Sequence, residues 1–98
     1  MIRFERRASF QRGKGAVKWA KEITEYINAQ NPEAQLQLFV ERFDDINSIC
    51  WMADFEDLMA LDRWQSKVGG DDGYQKLRKK SFDMLIEGTI FDTVMALV

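Results

Sequence analysis

The spacing of the apolar residues changes along this chain, and each change marks the end of one kind of secondary structure. In residues 1–10 apolar side chains recur at every second position, which is typical of a strand with one buried face. The residues on that face are Ile2, Phe4, Ala8 and Phe10. Arg6 interrupts them, so the segment predicts a β-strand with one charge on its apolar side.

The next segment has helical spacing. Its apolar residues follow one another at steps of four, three and four, and they are Ala16, Ala20, Ile23 and Ile27. Gly13 and Gly15 bracket a turn before them. Asn31 and Pro32 end the segment, because the residue before a proline avoids the helical conformation. This pattern predicts a helix over residues 15–30.

Two strands follow, joined by a short turn. Residues 34–43 alternate again, with Leu36, Leu38 and Val40 on one face and Phe39 and Phe43 on the other. Residues 46–53 are rich in residue types that favour strands. Asp44 and Asp45 lie between the two segments and favour a turn, so the pair is predicted to form a hairpin.

A helix is predicted after the hairpin. We expect Asp54 to cap its N-terminus and Asp57 to occupy its third position, where the helix dipole favours a carboxylate. Gly69 and Gly70 end it. Its inner face would carry Leu58, Leu61, Gln65 and Val68, with Trp64 alongside.

A second helical part and a last strand complete the pattern. Asp72 can cap this helix, with Gln75 three residues later as its capping-box partner. The inner face of the helix would carry Tyr74, Leu77, Ser81, Met84 and Leu85. Residues 86–98 predict the closing strand.

The order of these elements is strand, helix, strand, strand, broken helix, strand. It predicts an α+β chain with the ferredoxin-like βαββαβ fold, a four-stranded antiparallel sheet with its helices on one face. The length of 98 residues favours one domain over residues 1–98.

Composition excludes several classes of function. One Cys and no His argue against a disulfide scaffold and against the common zinc, haem and Cys–His sites, so we expect no metal and no cofactor. A site for a hard cation made only of carboxylates is the alternative that this composition leaves open. A net charge of -2 argues against nucleic acid as a partner. No apolar run approaches the roughly 20 residues of a membrane span, and the charged first residues do not resemble a signal peptide. We therefore expect a cytoplasmic protein.

The sheet face away from the helices is the main argument for a partner. The last strand is apolar on both sides, with Val94, Ala96 and Val98 on one and Phe91, Met95 and Leu97 on the other. Leaving several such side chains in water would give a sticky patch. The simplest remedy is a second copy packed on the sheet face, so we predict a homodimer. An open monomer with a mildly apolar face is the alternative.

The chain resembles the dimeric α/β-barrel proteins of the NIPSNAP and antibiotic-biosynthesis-monooxygenase type. The resemblance rests on the opening strand with Glu5 and Arg7, the turn at residues 13–15, and the stretch WMADFEDL at residues 51–58. Trp64 and the break at residues 71–73 extend it over nearly the whole chain.

This resemblance implies that two sheets from two subunits close a barrel, with the helices outside. It implies that a small hydrophobic molecule can bind between helices and sheet. Enzymes of the superfamily include cofactor-independent oxygenases of aromatic polyketides, cyclases and haem-degrading oxygenases. The haem-degrading members use a His as the iron ligand, which this sequence lacks.

Five residues are candidates for ligand binding: Arg6, Trp19, Trp51, Trp64 and Asp92. Arg6 and Asp92 both interrupt apolar faces of strands that are neighbours in this fold, so a cross-strand ion pair is expected. Such an arginine can recognise an acidic or enolic group of a ligand, or the pair can serve only to set the strand register. The three tryptophans can line an aromatic pocket or simply fill the core.

Two functions follow from these residues. The first is a small homodimeric protein that binds or oxidises a hydrophobic or aromatic molecule in a helix–sheet cleft, as a cofactor-independent monooxygenase would. The second is a non-enzymatic dimerisation or accessory module. The sequence leaves open whether the chain is an enzyme, and it identifies no catalytic residue. Cys50 is expected to be a buried, inert thiol, since no His is present to activate it.

Overall fold

The computed structural model describes residues 1–43 and 46–98. The elements occur in the predicted order, and a short 3-10 turn at Lys80–Asp83 follows the last helix. Their bounds are β1 Ile2–Ser9, α1 Ala16–Gln30, β2 Gln37–Phe43, β3 Ile46–Phe55, α2 Leu58–Gly69, α3 Asp72–Lys79 and β4 Phe91–Ala96. The predicted turn at Asp44 and Asp45 lies outside the described residues.

The four strands form one antiparallel sheet in the order β2-β3-β1-β4. The predicted α+β, ferredoxin-like topology is therefore confirmed. In β1, Phe4 lies opposite Ala53 of β3 and Val94 of β4, and Arg6 lies opposite Trp51 and Asp92. Since directly opposed residues share a face, this register places the whole apolar row of β1 towards the helices.

The core lies between the helices and one face of the sheet. Ala20 and Ile49 are fully buried there, and the partly buried side chains of α3 pack against the same cluster. The largest members of this cluster are Phe4, Trp19, Trp51, Phe55 and Trp64. At about 1.5–3 kcal/mol for each large apolar side chain, this burial is the main source of stability.

Strand β4 differs from the other strands because every residue in it is exposed. Helix α2 packs over β1 and β3, which leaves β4 at the edge of the sheet without a helix above it. Val94 on the helix side and Phe91 on the other side are both exposed. The apolar last strand predicted from the sequence is thus present, and in the single chain it lies uncovered at the edge of the sheet.

The predicted start of α2 at Asp54 is wrong. Strand β3 continues through Phe55, because Phe55 pairs with Ile2 and is buried against Trp64. Asp54 lies on the opposite face of the sheet and binds Arg3. Asp57 caps the helix instead, and its carboxylate accepts a hydrogen bond from the Ala60 N–H at 2.9 Å.

The predicted inner face of α2 needs two corrections, because Leu58 and Gln65 are both exposed. Leu58 is 56% exposed, because it is the first helical residue and lies beyond the sheet-covered part of α2. Leu61, Trp64 and Val68 are buried as predicted, although Trp64 belongs to the centre of that face rather than its flank.

Helix α3 and the last strand also begin at other residues than predicted. Asp71 caps α3 in place of Asp72, accepting from the Tyr74 N–H at 3.0 Å and from the Tyr26 hydroxyl at 2.7 Å. Gln75 does not close a capping box, since its amide donates to the Gly69 carbonyl. Residues 86–90 form a turn with Gly88 at φ +81°, so the last strand spans only Phe91–Ala96.

Within the described residues, none of the helices combines the length and apolar character that crossing a membrane requires. The cytoplasmic location and the single domain stay predictions from the sequence.

Candidate functional site

Arg6 and Asp92 form the ion pair expected from the sequence. Arg6 Nε donates to Asp92 Oδ1 at 2.7 Å and Arg6 Nη2 donates to Asp92 Oδ2 at 2.8 Å, which is a bidentate geometry. The hydrogen bond to Asp92 raises the pKa of Arg6 although burial opposes it, and Tyr74 adds to the rise. The pair is about 40% exposed, since its two side chains have exposures of 38% and 42%.

A cavity of about 420 Å³ lies between the helices and the sheet, next to this pair. Its walls come from β1, β3, α1, α2 and α3, the elements that surround the core. The larger and polar residues that line it are Phe4, Arg6, Trp19, Trp51, Trp64, Gln65, Tyr74, Gln75, Arg78 and Ser81. The volume lies within the roughly 300–1,000 Å³ of typical ligand pockets.

Two of the three tryptophans are held in place by hydrogen bonds. Trp19 Nε1 donates to the Leu77 carbonyl at 2.7 Å, and Trp51 Nε1 donates to Thr24 Oγ1 at 2.9 Å. Their rings meet edge to face with centroids 5.9 Å apart. Both side chains therefore form a fixed aromatic wall of the cavity.

Trp64 differs from the other two. Its indole Nε1 is buried and has no hydrogen-bond partner among the described residues. The ring is 6% exposed and packs 6.0 Å from Phe4 and 5.3 Å from Phe55, measured between centroids. A buried donor without an acceptor costs about 1–3 kcal/mol, so such groups usually have a role.

The structure brings together four of the five predicted site residues. Arg6, Trp19, Trp51 and Trp64 line one cavity, and the fifth residue, Asp92, holds Arg6 without lining the cavity itself. Whether any of them binds a ligand stays a prediction.

Sequence reasoning missed Tyr74, Gln75 and Arg78 as cavity residues. Tyr74 and Gln75 were predicted to face the core and to close a capping box. Arg78 belongs to a basic run with Lys76, Lys79 and Lys80, a pattern that is typical of a helix face in water. The run does lie mainly in water, yet Arg78 occupies the side of α3 that meets the cavity. The signal that could have identified it is its spacing from Tyr74, four residues earlier and on the same helix face.

Cys50 lies away from the cavity. It faces the open side of the sheet between Arg7 and Phe39 and is 1% exposed. Desolvation by burial raises the pKa of its thiol, although the nearby Arg7 opposes the rise. A thiol that stays protonated and covered is a poor nucleophile.

No group of three or more Asp, Glu, Cys or His side chains that could hold a metal ion occurs in residues 1–43 and 46–98. The acidic side chains described above cap helices or pair with arginines instead.

Comparisons with known proteins identify the fold. No protein-family model matches the sequence, and no curated protein matches it. A solved NIPSNAP domain protein from Burkholderia xenovorans, itself uncharacterised, superimposes with a TM-score of 0.79 at 15% identity, covering 100% of this chain and 95% of the other.

Two oxygenase-type structures are also similar. An antibiotic biosynthesis monooxygenase superimposes with a TM-score of 0.72 at 16% identity, covering 100% of this chain and 99% of the other. A mutant of SnoaB, a cofactor-independent oxygenase from Streptomyces nogalater, superimposes with a TM-score of 0.67 at 18% identity, covering 98% of this chain and 91% of the other. The resemblance predicted from the sequence is thus confirmed, and at these identities it establishes the fold.

Proposed function

We propose that this protein binds a small hydrophobic or aromatic molecule in the cleft between its helices and its sheet. The observation that carries the proposal is the cavity of about 420 Å³ whose walls include three tryptophans, one of them with a buried and unpartnered indole N–H. Apolar walls with a few oriented polar groups are typical of small-molecule sites.

Oxidation of the bound molecule is the finer part of this proposal. It is supported by the likeness to a structure named as a cofactor-independent oxygenase. An oxygenase without a cofactor must take its electrons from the substrate, so the molecule would be an electron-rich aromatic compound. The catalytic residues stay unassigned.

Binding is tested by thermal shift and tryptophan fluorescence with a panel of quinones, flavonoids and fatty acids. We expect at least one compound to raise the melting temperature and to quench the emission of the cavity tryptophans. A panel without any such compound would contradict the proposal and favour the accessory module.

The matched variants for this test are Arg6→Met and Arg3→Met. Both remove a bidentate arginine–aspartate pair from β1, but Arg6 lines the cavity and Arg3 lies on the other face of the sheet. We expect Arg6→Met to weaken binding while the fold persists, and Arg3→Met to leave binding unchanged. Equal effects of the two variants would assign Arg6 a structural role only.

A homodimer through the open sheet face is the second part of the proposal. Phe39, Phe91 and Met95 are exposed on that face. Four of the charges beside them are already paired within the sheet, Arg3 with Asp54 and Arg7 with Glu41. Glu5 lies on the same face and makes no ion pair with a described residue, so a second copy has to supply its partner.

Sedimentation of Phe91→Glu and Phe82→Glu tests the dimer. The two phenylalanines are 67% and 71% exposed, but Phe82 lies in the 3-10 turn after α3 and not on the sheet. We expect a dimer for the native chain and for Phe82→Glu, and a monomer for Phe91→Glu. A native chain that sediments as a monomer at micromolar concentration would overturn this part of the proposal.

The non-enzymatic dimerisation module is the alternative function. The exposed apolar residues of β4 favour it, because they call for a partner irrespective of the cavity. A dimer that binds no compound of the panel would support this alternative.

A further inference from the structure

The charge of the cavity wall is unbalanced. Among the described residues that line it, Arg6 and Arg78 carry positive charge and none is Asp or Glu. The other walls are largely apolar and aromatic. Since no carboxylate lines the wall to oppose these charges, a cavity of this kind favours an anionic ligand.

The two arginines differ in what they already bind. Arg6 is neutralised by the bidentate contact with Asp92. Arg78 makes no ion pair with a described residue, and its hydrogen bond to Gln75 Oε1 is long at 3.4 Å. The guanidinium of Arg78 therefore has N–H donors and an unbalanced charge to offer a ligand.

Trp64 forms another part of the aromatic wall of this cavity. Trp64 Nε1 is buried without an acceptor, whereas the indoles of Trp19 and Trp51 both have one. Trp64 and the Arg6 guanidinium each lie about 6 Å from the centre of the Phe4 ring, which is part of the wall between them. The Nε1 atom itself is covered by protein, so Trp64 contributes the surface of its ring to the cavity and not its N–H.

We propose that the ligand of this cleft is an aromatic carboxylic acid. Its carboxylate binds the guanidinium of Arg78 at the mouth, and its ring system lies among the tryptophans. A planar guanidinium matches a carboxylate with two parallel hydrogen bonds, which a single lysine in this position would not. This inference rests on the proposed function, since it names the class of molecule that the same cleft takes.

The test compares anthraquinone-2-carboxylate with the corresponding carboxamide by isothermal titration calorimetry. The two probes share their rings and ring carbonyls and differ only in charge. We expect the acid to bind the native protein about tenfold more tightly or better, as hydrogen bonds to a charged group allow.

Two variants on α3 locate this preference. Arg78→Gln should abolish the preference for the acid. Lys76→Gln removes the same charge from the same helix, at a position that does not line the cavity, and should keep the preference. Trp64→Phe should weaken both probes by a similar factor, because it removes the same part of the aromatic wall for both.

Each result decides the matter. Equal affinities of acid and amide for the native protein would overturn the inference and leave the proposed function in place. A preference that survives in Arg78→Gln, or that Lys76→Gln also abolishes, would overturn the role of Arg78. If neither probe binds the native protein while other compounds of the panel do, the inference alone is overturned; if nothing binds, both are.

Discussion

The two faces of the sheet are built from the same strands but have different surroundings. Towards the helices, Phe4, Ile49 and Trp51 are buried. Towards the open side, Phe39 and Phe91 are exposed among paired charges. The strands therefore do not alternate cleanly between apolar and polar residues, because the open face carries more large apolar side chains than a face in water usually does.

Each face also carries a bidentate arginine–aspartate pair with β1 as one partner. On the open face Arg3 binds Asp54, and on the helix side Arg6 binds Asp92 at the border of the cavity. The difference in their surroundings shows that an ion pair of one geometry can stiffen a solvated sheet or position a charge beside an apolar site. The following experiments separate the two faces, beginning with the largest expected effect.

Truncation of a large side chain should affect stability far more on the helix face. We expect Phe4→Ala to lower the free energy of unfolding by about 3–5 kcal/mol, because it leaves a cavity in the core. Phe91→Ala should change it by about 0.5 kcal/mol or less in the single chain. Urea unfolding measures both. A loss at Phe91 that grows with protein concentration would instead show that a second copy covers it.

Removing the ion pair on the helix side should also lower stability more than removing the pair on the open face, but by a smaller amount than the core truncation. Arg6→Met should destabilise the chain more than Arg3→Met, because Arg6 is less solvated and also interacts with Tyr74 and the Phe4 ring. The effect at Arg6 is discounted for its exposure and should not exceed about 1 kcal/mol. Equal melting temperatures for the two variants would show that the cavity border does not strengthen the pair.

The open-face pair should make stability depend on acid pH. The hydrogen bond from Arg3 lowers the pKa of Asp54 below its ordinary 3.8. A lowered folded-state pKa contributes stability above the unfolded value, and the contribution is lost as pH falls through the folded-state pKa. Asp54→Asn should therefore have a lower melting temperature than the native chain at pH 7, and the gap should close below pH 3.8. A gap that is constant with pH would exclude the carboxylate as its source.

The last prediction concerns the reactivity of Cys50 on the open face, where no change in stability is expected. Its buried thiol with a raised pKa should react with a thiol reagent much more slowly in the native protein than in urea. Removing the neighbouring Arg7–Glu41 pair with Glu41→Ala should speed the reaction, since the pair lies over the same part of the sheet. Rapid native labelling would show that the face opens in solution.

Much of the fold could be predicted because its elements depend on local periodicity. In β1 the apolar residues recur at every second position, and in α1 they recur at helical spacing. Both elements form where these spacings predict them. The ion pair of Arg6 and Asp92 was also accessible, because each residue interrupts an apolar row and the topology makes their strands neighbours.

The helix caps could not be predicted as well. Several aspartates near each start are chemically equivalent as caps, and the choice depends on packing elsewhere. Asp54 loses that role because Phe55 must reach Trp64, which keeps β3 extended for two more residues. The need for glycine at position 73 also depends on packing elsewhere. A Cβ there would lie 2.1 Å from the hydroxyl of Tyr26, a residue far away in the chain.

The sequence by itself determined the order of the elements, the apolar row of each and the resulting sheet topology, because periodicity in a short segment is enough to select its secondary structure and buried face. Only the tertiary structure decided that three tryptophans and two arginines surround one cavity, and that Trp64 alone lacks an acceptor for its indole N–H. Those features depend on distances between residues of different elements, and pairing and packing set such distances in three dimensions.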